Sequence, residues 1–115
     1  PFLCLAAALA AAPALAQSVI DTSAGPMQVD LVAKGLDEPW GIGFLPDGSF
    51  LVTERGGTIK RFAAPGAGPI VIGGGPEVEV DGQGGLLDIL IPADFATSRE
   101  VWLTYAEPRD AGPVT

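Results

Sequence analysis

The segment VDGQGGLLDIL, residues 80–90, holds most of the chemistry this sequence offers. Gln83 stands among Gly82, Gly84 and Gly85, and Asp88 is set inside the apolar run that follows. Glycines let backbone approach a ligand closely and leave amide N–H groups free to point at it. A glutamine side chain adds a donor and an acceptor without charge, so it can hold a carboxylate, a carbonyl or a sugar hydroxyl at any working pH. Two readings stand side by side: a loop that presents Gln83 to a ligand, and a glycine-rich turn that only starts a strand.

The other chemically able residues read mainly as structural. A carboxylate in an apolar strand can act as an acid or base, but Asp88 reads better as a buried acid accepting hydrogen bonds between neighbouring sheets. Glu54 and Arg55 follow a strand and read as a solvated ion pair rather than a ligand contact. Trp40, after Pro39, reads as a packing residue, although aromatic rings also stack on sugars. Glu77, Glu79 and Asp81 lie on one side of an extended segment with oxygen enough to attract Ca²⁺. No coordinating loop spacing accompanies them, so a solvated acidic edge that discourages strand pairing is preferred.

Composition narrows the setting. The opening PFLCLAAALAAAPALAQS is uncharged and ends its apolar stretch in Ala14, Leu15, Ala16, the small-x-small pattern of a secretory cleavage site. It reads as the rear of a signal peptide, residues 1–16, truncated at its start, which predicts a periplasmic or secreted protein. The apolar stretch is short of the roughly 20 residues of a spanning helix; a buried Ala/Leu helix is the alternative. Without those residues the chain keeps no cysteine, since the only one is Cys4, and therefore no disulfide or thiolate metal site. The net charge of −8 falls wholly on the remainder. It argues against nucleic acid, whose phosphates need a basic footprint, and suits a soluble protein whose anionic ligands, if any, meet locally gathered Arg and Lys.

The elements that must position these residues are short strands. Residues 17–34 read as an N-terminal arm without clear period followed by a first strand, MQVDLVA, with apolar residues at alternate positions. Then come strands at roughly 40–45, 49–54 and 58–63, separated by Asp47-Gly48 and Gly56-Gly57, dipeptides that supply the backbone of tight hairpins. IVIG at 70–73 is a fourth short strand or the start of a crossover. LLDILIPADFATSREVWLTYAE repeats the order of apolar strand, proline, acidic turn and second strand, with Pro46 matching Pro92, Thr53 matching Thr104 and FATSRE inserted. A period of about 40–50 residues built from short antiparallel strands indicates an all-β fold of β-propeller blades. Residues 35–115 then hold the first two blades of a larger domain and leave apolar faces bare; a single β-sandwich is the alternative.

The runs GLDEPWGIGFLPDGSFLVTERGGTIKRF, PEVEVDGQGGLLDILIPADFA and VWLTYAEP, in that order, resemble the opening of the glucose/sorbosone dehydrogenase family, closest to the soluble aldose sugar dehydrogenases that use pyrroloquinoline quinone. The resemblance implies a six-bladed propeller with the quinone at one end of the central channel beside a bound Ca²⁺. It implies oxidation of the C1 hydroxyl of an aldose to a lactone, with electrons passed on to an external acceptor. Carried over by residue, it makes Gln83 a cofactor-binding side chain. It assigns no catalytic or metal-binding residue here: this chain has no histidine, and the family's histidine base, quinone arginines and calcium ligands are expected downstream. A non-catalytic propeller binding carbohydrate or protein, and a calcium-dependent lactonase, are the competing readings.

Overall fold

A computed structural model describes residues 17–110, so the reading of residues 1–16 as a signal peptide lies outside the described residues. The chain divides into two compact units between Leu31 and Val32. The first contains an antiparallel hairpin of β1 (Gln17–Thr22) and β2 (Gly25–Asp30), paired from Gln17 with Asp30 to Thr22 with Gly25. Thr22 ties the turn, its hydroxyl donating to the Gly25 carbonyl at 2.7 Å and accepting from the Ala24 amide at 3.2 Å. Residues 17–22 are thus a strand, where the sequence suggested an arm. The strand escapes a periodicity argument because neither side of it is covered: Val19 and Ile20 are both exposed, and so are Met27 and Val29 opposite.

The second unit begins with a four-stranded antiparallel meander, β3 (Pro39–Phe44), β4 (Phe50–Glu54), β5 (Ile59–Phe62) and β6 (Ile70–Ile72), hydrogen-bonded in chain order. It continues into a two-stranded sheet of β7 (Leu86–Leu90) and β8 (Trp102–Tyr105), with a one-turn helix α1 (Phe95–Ser98) in the inserted FATSRE. IVIG is therefore the fourth strand and not a crossover. This is one complete propeller blade and the first strands of the next.

Local chemistry explains the hairpins. Between β3 and β4 the Gly48 amide donates to the Leu45 carbonyl at 3.0 Å and the Leu45 amide to the Ser49 carbonyl at 2.8 Å. Pro46 suits the second position of the turn, and Gly48 takes the positive φ of 85° that closes a three-residue loop. Asp47 holds the corner by accepting from the Ser49 amide at 2.9 Å and from the Ser49 hydroxyl. The turn between β4 and β5 repeats the pattern, with Gly57 donating to the Glu54 carbonyl at 2.9 Å and Glu54 to the Thr58 carbonyl at 2.8 Å.

The PWGIGF strand presents two different faces. Gly41 and Gly43 lie toward β7, where a Cβ on Gly43 would come within 2.7 Å of Ile91 Cγ1. The bare backbone lets the two sheets close on a shared core of Leu51, Ile59, Leu86 and Ile89. Burial of each such side chain is worth roughly 1.5–3 kcal/mol. Thr53, fully buried, joins the sheets directly by donating to the Leu87 carbonyl. On the other face, Phe50, Val52 and Phe62 pack under Ala33 and Leu36, with the Phe50 and Phe62 rings stacked 5.1 Å apart. Trp40, Ile42 and Phe44 share no such cover and are 51%, 49% and 67% exposed. Trp40, expected to be a packing residue, is thus half open in this chain.

The repeat read from sequence is physical. Each sheet carries a bulge at the start of its first strand, at Trp40 in β3 and at Leu87 and Asp88 in β7. In each, the threonine of the neighbouring strand bridges the irregularity: Thr53 Oγ1 accepts from the Gly41 amide at 3.0 Å, and Thr104 Oγ1 from the Asp88 amide at 2.9 Å. Each also has a closing bond at the same end, Arg55 N–H to Glu38 O at 3.0 Å and Ala106 N–H to Gly85 O at 2.9 Å. The accepting residue has positive φ in both, 44° at Glu38 and 145° at Gly85.

Candidate functional site

One end of this unit gathers the residues of interest, because β3 and β7 begin there while β4 and β8 finish there. The loop at 81–85 is held from both sides: the Leu86 amide donates to the Arg55 carbonyl at 2.9 Å, Ala106 to the Gly85 carbonyl at 2.9 Å, and Glu79 to the Ala106 carbonyl at 2.8 Å. Within it the Gly84 amide donates to the Asp81 carbonyl at 2.7 Å. Gly85 is required by proximity as well as by its φ: a Cβ there would overlap the backbone carbonyl of Arg55. The glycine next to β7 therefore serves first to seat the loop on the turn between β4 and β5.

The side chain of Arg55 completes that seat. Its Nη1 donates to the carbonyls of Gly82, at 3.2 Å, and Gly84, at 3.1 Å, the two residues flanking Gln83. Its Nε donates to Glu38 Oε2 at 2.6 Å. Hydrogen bonding to the Glu38 carboxylate, reinforced by its charge, raises the guanidinium pKa above its ordinary value, so Arg55 stays cationic at every working pH. Gln83 itself is exposed. Among the described residues nothing hydrogen-bonds its amide, which leaves one acceptor and two donors free on a backbone fixed at both neighbours.

Glu54 and Arg55 do not pair with each other. Adjacent residues of a strand point to opposite faces, and Glu54 is buried, where its Oε1 accepts from Lys60 Nζ at 2.7 Å and from the Asp37 amide at 2.8 Å. Lys60 Nζ also donates to the Gly35 carbonyl at 2.7 Å, so this largely covered pair anchors the segment leading into β3. Asp88 is not the buried acid expected: it is exposed, and its Oδ1 accepts only from the next amide, Ile89, at 2.8 Å. The bulge that turns Asp88 outward is the reason. Glu77, Glu79 and Asp81 are all exposed and lie outside any strand, with Val78 turned into the core between the two glutamates. Among the described residues no group of three His, Cys, Asp or Glu side chains is placed to hold a metal ion.

The brace formed by Glu38 and Arg55 escaped the reading of the sequence. The sequence does carry a trace of it, for aligning the two repeats sets Arg55 against Ala106 and Glu38 within the Gly84-Gly85 pair, which the strand pairing resolves to Gly85, and a charged pair replacing two small residues is a difference to be explained. At the opposite end, a hollow of about 350 Å³ is lined by Leu45, Pro46, Asp47, Arg61, Phe95 and Arg99 among others. Its guanidinium groups are engaged, Arg61 with Asp47 at 3.4 Å and Arg99 over the Phe95 ring at 5.0 Å.

Residues 36–115 match the family described as Glucose / Sorbosone dehydrogenase, which covers most of the chain and the whole of the braced loop. The chain belongs to the glucose/sorbosone dehydrogenase family. It is 40% identical over 113 residues to the aldose sugar dehydrogenase YliI of Escherichia coli, spanning 97% of this chain and 28% of that protein. Among solved structures it is similar to the soluble aldose sugar dehydrogenase of E. coli in its apo form, at 43% identity and a TM-score of 0.64 over 71% of this chain and 24% of the other. It is also similar to the aldose sugar dehydrogenase of Streptomyces coelicolor in its PQQ-bound form, at 34% identity and a TM-score of 0.64 over 86% and 28%. The chain thus spans about a quarter of the length of these relatives. The propeller expected from the repeat is the fold observed.

Proposed function

We propose that the protein is an exported aldose sugar dehydrogenase that uses pyrroloquinoline quinone, and that this chain supplies the first blades of its six-bladed propeller and the Gln83 wall of its quinone pocket. The observation that carries the reading is the loop at 81–85. A neutral amide with free donors and acceptor, standing on a backbone pinned at the carbonyls before and after it, suits a ligand rich in carbonyl and carboxylate oxygens. The quinone, when bound, supplies the acceptor for hydride from C1 of the sugar. Gln83 contributes orientation through hydrogen bonds, and Arg55, already engaged by Glu38, keeps the loop in place. Neither is an acid or base at working pH, so the proton from the sugar hydroxyl is taken by a group in the rest of the protein, as are the ligands of Ca²⁺ and the contacts to the external electron acceptor. Family membership supports the substrate class, and the apolar, small-x-small opening of the sequence supports export to the periplasm or beyond.

The test uses the complete protein, expressed with its own leader and prepared free of quinone. Aldose-dependent dye reduction is measured with the quinone and Ca²⁺ each added or withheld, and lactone formation is followed alongside. Activity is expected only with the quinone, and Gln83→Ala is expected to weaken its affinity by about tenfold, the loss of one or two hydrogen bonds to a charged group. An intact protein that neither binds the quinone nor reduces dye with any aldose would overturn the proposal.

A further inference from the structure

The two sheets are internal controls for each other. Both close the same end with one backbone bond, Arg55 N–H to Glu38 O in the first and Ala106 N–H to Gly85 O in the second. The second makes this bond with no ionic side chain at either position, so the fold of a blade does not require Glu38 or Arg55 as charged residues. In the first, the acid is accommodated with φ of 44°, a backbone region disfavoured for a non-glycine residue. A pair that the sheet itself does not need, at a position where a large side chain is disfavoured, calls for a role beyond the sheet.

The guanidinium shows where that role lies. It is oriented by Glu38 through Nε and directs Nη1 at the Gly82 and Gly84 carbonyls, which bracket Gln83. Two carbonyls converging on one cation would repel each other without it. The cation thus holds the Gly82–Gln83 and Gly84–Gly85 peptide planes, one on each side of Gln83, in one arrangement, and so restricts the direction in which its Cα–Cβ bond leaves the loop. Lysine cannot substitute fully, because a single ammonium lacks the planar fork that meets a carboxylate and two carbonyls at once.

From this we infer that Arg55, oriented by Glu38, is the positioning residue for Gln83: a brace that sets the ligand-facing amide before ligand arrives and acts on the quinone only through it. The inference deepens the proposed function and rests on it for the identity of the ligand. It predicts pre-organisation, in which the ordering cost of the loop is met in folding and not in binding.

Two measurements on the complete protein test it. The first needs no ligand: amide exchange of the segment 80–86 in the quinone-free protein. Arg55→Met is expected to speed exchange at Gly84 by roughly tenfold or more, as the loop opens locally, while Gln83→Ala leaves it unchanged. Unaltered exchange in Arg55→Met overturns the brace whether or not the quinone reading holds. The second is quinone affinity by titration in Arg55→Met, Arg55→Lys, Gln83→Ala and the Arg55→Met/Gln83→Ala double variant. Arg55→Met is expected to weaken binding by about tenfold, Arg55→Lys by less, and Arg55→Met by nothing further once Gln83 is gone. Equal losses in both backgrounds would mean that Arg55 touches the ligand itself, and would overturn the inference. Absence of quinone binding in the wild-type protein would remove the proposed function, while the exchange measurement still decides whether Arg55 fixes the loop.

Discussion

Replacing glycine by alanine at positions 56, 48 and 85 separates three effects that a sequence presents alike. At Gly56 a Cβ meets nothing within 4 Å and φ is not positive, so alanine is expected to be neutral or to stabilise by up to about 1 kcal/mol through the unfolded chain. At Gly48 the space is equally open but φ is 85°, and alanine bears the left-handed conformation alone, about 1–2 kcal/mol. At Gly85 the φ of 145° combines with overlap onto the Arg55 carbonyl, which is backbone and cannot rotate away. The loop must lift, loosening the Leu86 bond to Arg55 and the Ala106 bond to Gly85, each worth about 1 kcal/mol net. With roughly 1–3 kcal/mol for the backbone strain, the expected loss at Gly85 is about 3–5 kcal/mol. The assay is urea denaturation of the complete protein and its three variants, compared at unchanged m-value. A Gly85→Ala protein within about 1 kcal/mol of wild type would refute the close approach of loop and turn, and with it the geometry on which the brace depends.

Two further outcomes test the packing between the sheets and the hairpin of β3 and β4. Thr53→Val keeps the volume but deprives the part-buried Leu87 carbonyl of its donor and the Gly41 amide of its acceptor; a loss of about 2–4 kcal/mol is expected in the same denaturation assay, against little for Ser98→Ala at the surface of α1. The Asp47 carboxyl is held below its ordinary 3.8 first by the Ser49 hydroxyl, then by the Ser49 amide and by Arg61. A carboxyl with a lowered folded pKa adds stability that is present above its unfolded value and is lost as pH falls through the folded one. The difference in melting temperature between wild type and Asp47→Ala is therefore expected to be full at neutral pH and to shrink below about pH 4; a difference that grows toward acid would contradict the assigned contacts.

Strands, hairpins and their order were legible because they rest on local rules. Asp47-Gly48 and Gly56-Gly57 impose turns through their own backbone preferences, and the meander follows when apolar runs of strand length alternate with them. The repeat was legible for the same reason, since Thr53 and Thr104 do the same work at equivalent bulges. The strand at 17–22 was not, because QSVIDT sets Val19 and Ile20 side by side and has no covered face that would require alternation; its partner was read only from the alternation of MQVDLVA. Asp88 was misjudged because a one-residue bulge reverses which face a side chain takes, and no local signal counts residues across a strand pair.

At the site the division is similar. The sequence by itself determined the type of group offered: an uncharged amide in a glycine-rich loop before an apolar strand, in a chain without histidine and therefore without that base. Tertiary structure alone decided that Glu54 turns inward to Lys60 while its neighbour Arg55 turns to Glu38 and to the carbonyls around Gln83. Those partners lie 17 to 29 residues from Arg55 along the chain, and only the stacking of one sheet's edge on the next brings them within hydrogen-bonding reach. Charge, size and turn preference belong to each residue and can be read in order; which cation meets which carbonyl depends on how two strands pair and two sheets pack, and that is a property of the folded chain.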